Sequence, residues 1–406
     1  MHEHPTPGAP PIDVAQIFRR FAPAYRRTHP LAEEPARVLR DLARCRTPDL
    51  GGHLYHCDAC GRQVVLYNSC LNRHCPTCQG PAQYRWIEER QRRLLNTPYF
   101  HVVFTLPALL RDVAQRHRRP LLALLFRSVS ESLQVFARDP RRLGAQPAFT
   151  LVLHTWTREI LFHPHIHAIV AGGGLSLDGQ GWVDVPHPDF LFPVMALSKV
   201  FRGKFLHGLG DLCQAGEIDL SEGDARKLIH KAKRQSWVVF AQKPFGGPKQ
   251  IVGYLGRYTH RVAIASSRLV SISDTTIIFR TRGEKTCSVP PDEFIRRFLL
   301  DVLPHHFCKI RHYGRLAPAN VSSRLLRAQQ ILGPADSMGS CGDRGVPAGT
   351  GQTIPAGDRG TSKAADDGDH FVATDRAAPA CPHCGGALRP LSPRTFPFAQ
   401  RPPPDT

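Results

Sequence analysis

Three short stretches hold the side chains that could do chemistry. In His163-Pro-His165-Ile-His167, residues two apart project from the same face of a strand, so His165 and His167 point together while Ile166 packs behind them. Two imidazoles so placed can hold one divalent cation, and a third donor is needed. If 151–157 pairs with 163–170 as a hairpin, His154 falls roughly opposite His167 on that face. His163 shares the face, and Pro164 suits a strand start. In Tyr254-Leu-Gly-Arg257-Tyr258-Thr-His-Arg261 the tyrosines stand at i and i+4 on one helical face, with Arg257 and Arg261 as a second such pair beside them. A phenol with a pKa of about 10 is a poor nucleophile unaided. A metal polarising a phosphate, with arginines stabilising the developing charge, would make it adequate. Attack on a phosphodiester would then leave a 5′-phosphotyrosine and a free 3′ hydroxyl, conserving the bond energy for rejoining. Taken alone, the tyrosine pair reads as two half-buried aromatics on a helix.

The third stretch is Cys57-Asp-Ala-Cys60 followed by Cys75-Pro-Thr-Cys78. Each C-x-x-C knuckle can wrap one side of a tetrahedral ion, and two complete four thiolates at a spacing near that of zinc ribbons. The expectation is about one equivalent of Zn2+, held mainly by these four cysteines. Cys70 and His74 lie inside the loop and His53 and His56 just before it; one of them could replace a cysteine, or two ions could bind. Cys381-Pro-His-Cys384 repeats the knuckle near the far end, where it reads as half a site.

Helices and strands must carry these groups. Residues 12–50 read as helical, with Val14, Ile17, Phe18 and Phe21 at helical spacing and breaks expected at Pro23 and Pro30. A basic helix over 81–95 leads out of the cysteine cluster. The apolar, β-branched run 100–107 reads as a strand, and 109–136 as helix. A hairpin is expected from 148–156 and 163–171, closed by Gly172-Gly173-Gly174, with further strands at 237–242 and 276–282. Residues 331–380 are rich in Gly, Ala, Pro, Ser and Asp and read as disordered.

The chain has 53 Lys and Arg against 34 Asp and Glu, a net charge of +19, and such a field attracts polyanions, nucleic acid above all. Segment 331–380 holds four basic and seven acidic residues, so the basic surface lies on the folded part. Arg62, Arg73, Arg85, Arg92 and Arg93 suit phosphate contact. No secretory signal or spanning segment is apparent, which points to a reducing, cytoplasmic setting where cysteines serve as metal ligands or buried thiols.

Further short matches join these motifs in a fixed order. They are Ser69-Cys70, His101-Val-Val-Phe-Thr-Leu-Pro107, His154-Thr-Trp156, Glu293-Phe-Ile-Arg-Arg-Phe298 and Ile310-Arg-His-Tyr-Gly314. Together, from about residue 15 to about residue 325, the chain resembles the two-tyrosine rolling-circle insertion-sequence transposases, within the larger class of HUH endonucleases. The resemblance implies an α+β fold whose central antiparallel sheet is flanked by helices and preceded by a zinc-ribbon-like domain. Its expected divisions are an N-terminal helical region at 1–52, the zinc-binding domain and basic helix at 53–98, the catalytic domain at 99–330, and a disordered tail with a lone knuckle at 331–406. It implies His165 and His167 as metal ligands for catalytic Mg2+ or Mn2+, Tyr254 and Tyr258 as nucleophiles, and structural Zn2+. The expected partner is DNA, single-stranded or in hairpin ends of a mobile element, with no membrane and no small-molecule substrate, in a bacterial, nucleoid-associated setting. Two departures stand out: Ala265-Ser-Ser-Arg268 where asparagine is expected, and Asp301 where histidine is usual. A non-enzymatic zinc-dependent nucleic-acid binder would explain charge and cysteines but leave histidines and tyrosines idle. A replication initiator or relaxase would share the chemistry but generally lacks the N-terminal ribbon.

Overall fold

The structure is a computed structural model and describes residues 12–245, 262–314, 316–317, 320–333 and 379–391. Helices α1 (Val14–Thr28) and α2 (Glu33–Arg44) lead into a hairpin of β1 (Gly52–Cys57) and β2 (Gln63–Tyr67), then α3 (Pro76–Gln91). The central part holds β3 (Tyr99–Thr105), α4 (Arg111–Arg116), α5 (Arg118–Arg138), β4 (Ala145–Trp156), β5 (Phe162–Ser176), β6 (Trp182–Asp184), α6 (Val194–Gln214), α7 (Glu222–Arg234) and β7 (Val239–Phe245). Beyond it lie β8 (Leu269–Ile272), β9 (Ile277–Arg280), β10 (Thr286–Val289), a helix at Pro291–Leu299, β11 (Ile310–Gly314), a helix at Leu326–Leu332 and β12 (Leu388–Pro390).

The central sheet runs β11-β4-β5-β3-β7, with β6 paired to β5, and the pairs are antiparallel. Its two faces differ because side chains alternate along each strand. Phe100, Val102 and Phe104 on β3, Phe149, Leu151 and Leu153 on β4, and Ile166, Ala168 and Val170 on β5 all enter one buried core. That core is completed by Leu121, Leu125, Val129 and Leu133 of α5 and Phe201 and Phe205 of α6, at helical spacing. Phe104 meets Phe201 edge-on at 5.2 Å, and truncating a buried phenylalanine of this kind typically costs about 3–5 kcal/mol. The intervening residues, His101, His154, His165 and His167 among them, belong by alternation to the opposite face. An α+β fold with a helix-flanked antiparallel sheet is what the structure has.

A second core joins the chain's beginning to its later part. Val14, Ile17, Phe18, Val38, Leu39 and Leu42 pack with Ile277, Phe279, Phe294, Ile295 and Phe298, and the Phe18 and Phe298 rings meet at 4.9 Å. Asp13 caps α1 in a capping box with Gln16, its carboxylate accepting from the Gln16 amide at 2.6 Å.

Three local expectations are corrected. Pro23 does not end α1, which runs through it to Thr28; Pro23 is exposed while Ala22 and Tyr25 on either side are buried, so packing holds the helix and the lost hydrogen bond faces water. The glycines at 172–174 do not close a turn but lie inside β5. A Cβ on Gly173 would sit 2.5 Å from the Val183 carbonyl oxygen and 2.5 Å from Trp182 Nε1, so the run permits close approach of β6. The third concerns the far knuckle. Residues 380–390 are ordered against the N-terminal hairpin, β12 pairing with β1 at Tyr55↔Pro390, His56↔Arg389 and Cys57↔Leu388, so this knuckle is not alone.

Candidate metal centres and the sheet face

Strands β4 and β5 bring three imidazoles together. His154, His165 and His167 each offer a ring nitrogen, and these atoms lie within 4.8 Å of one another. The expected hairpin forms, but its register is shifted by two residues: His154 stands opposite His165, and His167 opposite Val152. Because the shift is even, all three still share a face. His154 and His167 are buried and His165 partly so. The Trp156 ring stacks on His154 with centroids 4.8 Å apart.

Hydrogen bonds orient the rings. His165 Nδ1 lies 2.7 Å from the His163 carbonyl oxygen, so Nδ1 donates and the ring lone pair stands on Nε2. His167 Nδ1 lies 2.8 Å from Nε2 of His101, whose own Nδ1 is 3.2 Å from Gln242 Oε1. Burial drives the His101 pKa down to about 4, the bond to Gln242 opposing only in part. A neutral His101 donates from Nδ1 to Gln242 and accepts at Nε2 from His167 Nδ1, which puts the ring lone pair of His167 on Nε2. Three imidazoles converging on one point fit a divalent cation and leave positions for water or phosphate. His163 instead lies with Nδ1 2.6 Å from Arg111 Nη2, and the desolvated, cation-flanked ring has its pKa lowered. His101 was not singled out in the sequence as a site residue, though one histidine alternating with Phe100, Val102 and Phe104 was a signal on that strand.

Tyr254, Arg257, Tyr258 and Arg261 lie outside the described residues.

The cysteines form two groups, and the knuckles expected to share one ion are divided between them. Cys75 and Cys78 converge with Cys70 and with Cys45, the residue capping the C-terminus of α2. Sγ separations are 3.6 Å for Cys45–Cys78, 3.6 Å for Cys45–Cys75 and 3.7 Å for Cys70–Cys78. Hydrogen bonds from Cys70 and Cys75 pull the Cys45 thiol down to about 7, while Cys70, donating, is pushed up. Four adjoining thiols cannot all ionise against one another's charge unless a cation joins them. Cys57 and Cys60 converge instead with Cys381 and Cys384. Spacing did not reveal Cys45, which lies 25 residues before Cys70 in no knuckle.

Among the arginines expected at DNA, Arg62 is exposed and lies 3.0 Å from His383 Nδ1. Arg92 is exposed and Arg93 partly so just beyond α3, and Arg85 lies on α3. Arg73 is half-buried and donates to the carbonyl oxygens of Phe307 at 2.7 Å and Pro304 at 3.0 Å. It ties the cysteine region to the strand β11 side of the fold rather than facing solvent. Beside it Asp301, buried, accepts from Thr155 Oγ1 and lies 3.8 Å from His74 Nδ1. The departure at position 301 is thus an internal polar junction between β4 and the cysteine region.

Among the described residues no helix is long and apolar enough to cross a membrane. A family model described as "Transposase zinc-binding domain" matches residues 17–106, and one described as "Putative transposase" matches residues 148–324. "Putative transposase y4qJ" of Sinorhizobium fredii is 44% identical over 336 residues, covering 79% of this chain and 84% of the relative. "Transposase for insertion sequence element IS801" of Pseudomonas savastanoi pv. phaseolicola is 32% identical over 287 residues, 68% of each chain. A solved conjugative relaxase, TrwC in complex with OriT DNA and free of metal, superposes with a TM-score of 0.22 at 11% identity, over 39% of this chain and 70% of that one. The overlap with TrwC adds nothing to the assignment, which rests on the two family models and the two transposases. The chain belongs to the two-tyrosine rolling-circle insertion-sequence transposases that carry an N-terminal zinc-binding domain.

Proposed function

We propose that this transposase cleaves and rejoins single-stranded DNA through 5′-phosphotyrosine intermediates, with Tyr254 and Tyr258 as the two nucleophiles. The observation that carries the reading is the convergence of His154, His165 and His167 on one sheet face, ring nitrogens within 4.8 Å. These residues would hold a divalent cation, Mg2+ or Mn2+, which when bound supplies Lewis-acid polarisation of the scissile phosphate. His101 and the His163 carbonyl keep the Nε2 atoms of His167 and His165 directed at that site. The tyrosine hydroxyl gives up its proton to solvent as its oxygen bonds to phosphorus, the 3′ oxygen departs and takes up a proton in turn, and Arg257 and Arg261 offset the charge that develops on the phosphate. Two nucleophiles let a second strand be cut while the first stays attached, which transfer from donor to target requires.

Single-stranded or hairpin DNA is the substrate class, since the chemistry must reach one exposed backbone. Arg62, Arg85, Arg92 and Arg93 supply phosphate contacts, so affinity falls steeply with salt. The test is a denaturing gel of protein incubated with end-labelled single-stranded DNA and Mn2+. The H165A/H167A protein should bind DNA and cleave nothing. Each single Tyr→Phe change should keep some cleavage, and Y254F/Y258F should form no covalent species. An adduct surviving in Y254F/Y258F places the nucleophile elsewhere and refutes the reading.

A further inference from the structure

We propose that Cys57, Cys60, Cys381 and Cys384 form a second tetrathiolate zinc site, which closes a zinc ribbon from two segments at opposite ends of the chain. Neither segment completes a site alone, and the pairing is independent of the DNA chemistry above.

The two knuckles have the same local construction. In the first, the Cys57 amide donates to the Arg62 carbonyl at 2.9 Å and the Gly61 amide to the Cys57 carbonyl at 2.8 Å. In the second, the Cys381 amide donates to the Gly386 carbonyl at 2.7 Å and the Gly385 amide to the Cys381 carbonyl at 2.8 Å. Both end on a left-handed glycine, with φ of 70° at Gly61 and 76° at Gly385. Each knuckle sits at the tip of an antiparallel turn: β1 and β2 flank one, the Ala380↔Ala387 bridge the other. Two such tips facing each other are the two halves of a ribbon site.

The sulfurs meet at ligand spacing. Cys57 Sγ is 3.5 Å from Cys384 Sγ and Cys60 Sγ is 3.8 Å from Cys381 Sγ. Four sulfurs at about 2.3 Å from a tetrahedral zinc stand about 3.8 Å apart, whereas disulfide sulfurs stand about 2.05 Å apart. The same spacing recurs in the Cys45 group, at 3.6 to 3.7 Å. Close approach is built in at Gly386, where a Cβ would sit 2.7 Å from Ala59 Cβ and 3.3 Å from both Cys57 Sγ and Cys384 Sγ. Across the junction Arg62 of the first knuckle lies 3.0 Å from His383 Nδ1 of the second, and Arg389 beside the second pairs with Asp58 of the first at 3.5 Å. Behind the sulfurs, Val64 and Leu388 with Tyr55 and Leu66 make a small apolar patch. That patch is too small to hold the segments together without the ion.

Cys60 and Cys384 are exposed, and this makes the test direct. Purified full-length protein should contain two zinc ions per chain by elemental analysis, and the C381S/C384S protein one. In the wild-type protein, alkylation by iodoacetamide read by mass spectrometry should leave Cys60 and Cys384 unmodified until a chelator is added. All four thiols of the site should then react. Since burial cannot shield these two sulfurs, only ligation explains their protection. One zinc in the wild type, two retained in C381S/C384S, or alkylation of Cys60 and Cys384 at the free-thiol rate in zinc-loaded protein would each overturn the proposal. None of these readouts depends on DNA cleavage.

Discussion

Replacing His101 with phenylalanine isolates what a residue behind the histidine triad contributes. The ring is buried, lies parallel to His167 with centroids 5.0 Å apart, and accepts at 2.8 Å from His167 Nδ1. Phenylalanine keeps a flat ring in that place but removes the acceptor, so the His167 Nδ1–H loses that buried partner at a cost of about 1–3 kcal/mol. The ring then gains by turning or shifting tautomer, and either change spoils the Nε2 lone pair. Loss of such an orienting partner typically lowers metal affinity about 10- to 100-fold, or about 1.4–2.7 kcal/mol. Calorimetric titration of Mn2+ into the DNA-free protein should show that weakening for H101F. H101Q, whose side-chain oxygen can accept, should recover part of it. Circular dichroism separates this from unfolding, and H167A gives the lower limit. If folded H101F binds Mn2+ within about twofold of the wild type, the ring does not orient His167 and the tautomer argument is wrong.

Two further outcomes follow from packing and charge. G173A should lower stability by about 1–3 kcal/mol in thermal melts, because its Cβ meets a backbone oxygen that cannot move without unpairing β6; G181A, with its nearest neighbour at 3.9 Å, should melt near the wild type. Glu293 is held down to about 2 by hydrogen bonds from Arg296 and then Arg297, from an ordinary 4.5. Its lowered folded pKa means its contribution is present above pH 4.5 and lost as pH falls toward 2. Solvent screening at this partly exposed surface site limits it to about 1 kcal/mol, so the stability difference between wild type and E293Q should shrink over that window in denaturant titrations.

Much of the histidine face was readable because a strand's period of two is rigid: once 163–167 is extended, His165 and His167 must share a side. The register against β4 was not readable, since nothing within the two strands distinguishes His154 opposite His167 from His154 opposite His165. That distinction comes from the connection at 157–161 and its irregularity near Trp156. The cysteine partition was hidden for a different reason. A C-x-x-C knuckle is the same object wherever it occurs, so spacing favours the nearest partner, while the fold joins Cys57 to Cys384 across 327 positions. Cys45 gave no motif because its place is set by where α2 ends. Proline at 23 misled because local preference was outweighed by the buried residues on either side of it.

The pairing of β1 with β12 also sets a schedule for synthesis. A ribosome adding about 5–20 residues per second makes Cys57 at least about 15 seconds before Leu388, its partner across the ladder. α1 waits almost as long for Phe298. During that interval the nascent N-terminus can complete the Cys45 group but can finish neither its second core nor the β12 ladder. A messenger cut short before the last knuckle would therefore yield a protein with an intact histidine face and an open N-terminal seam, visible to proteases and chaperones.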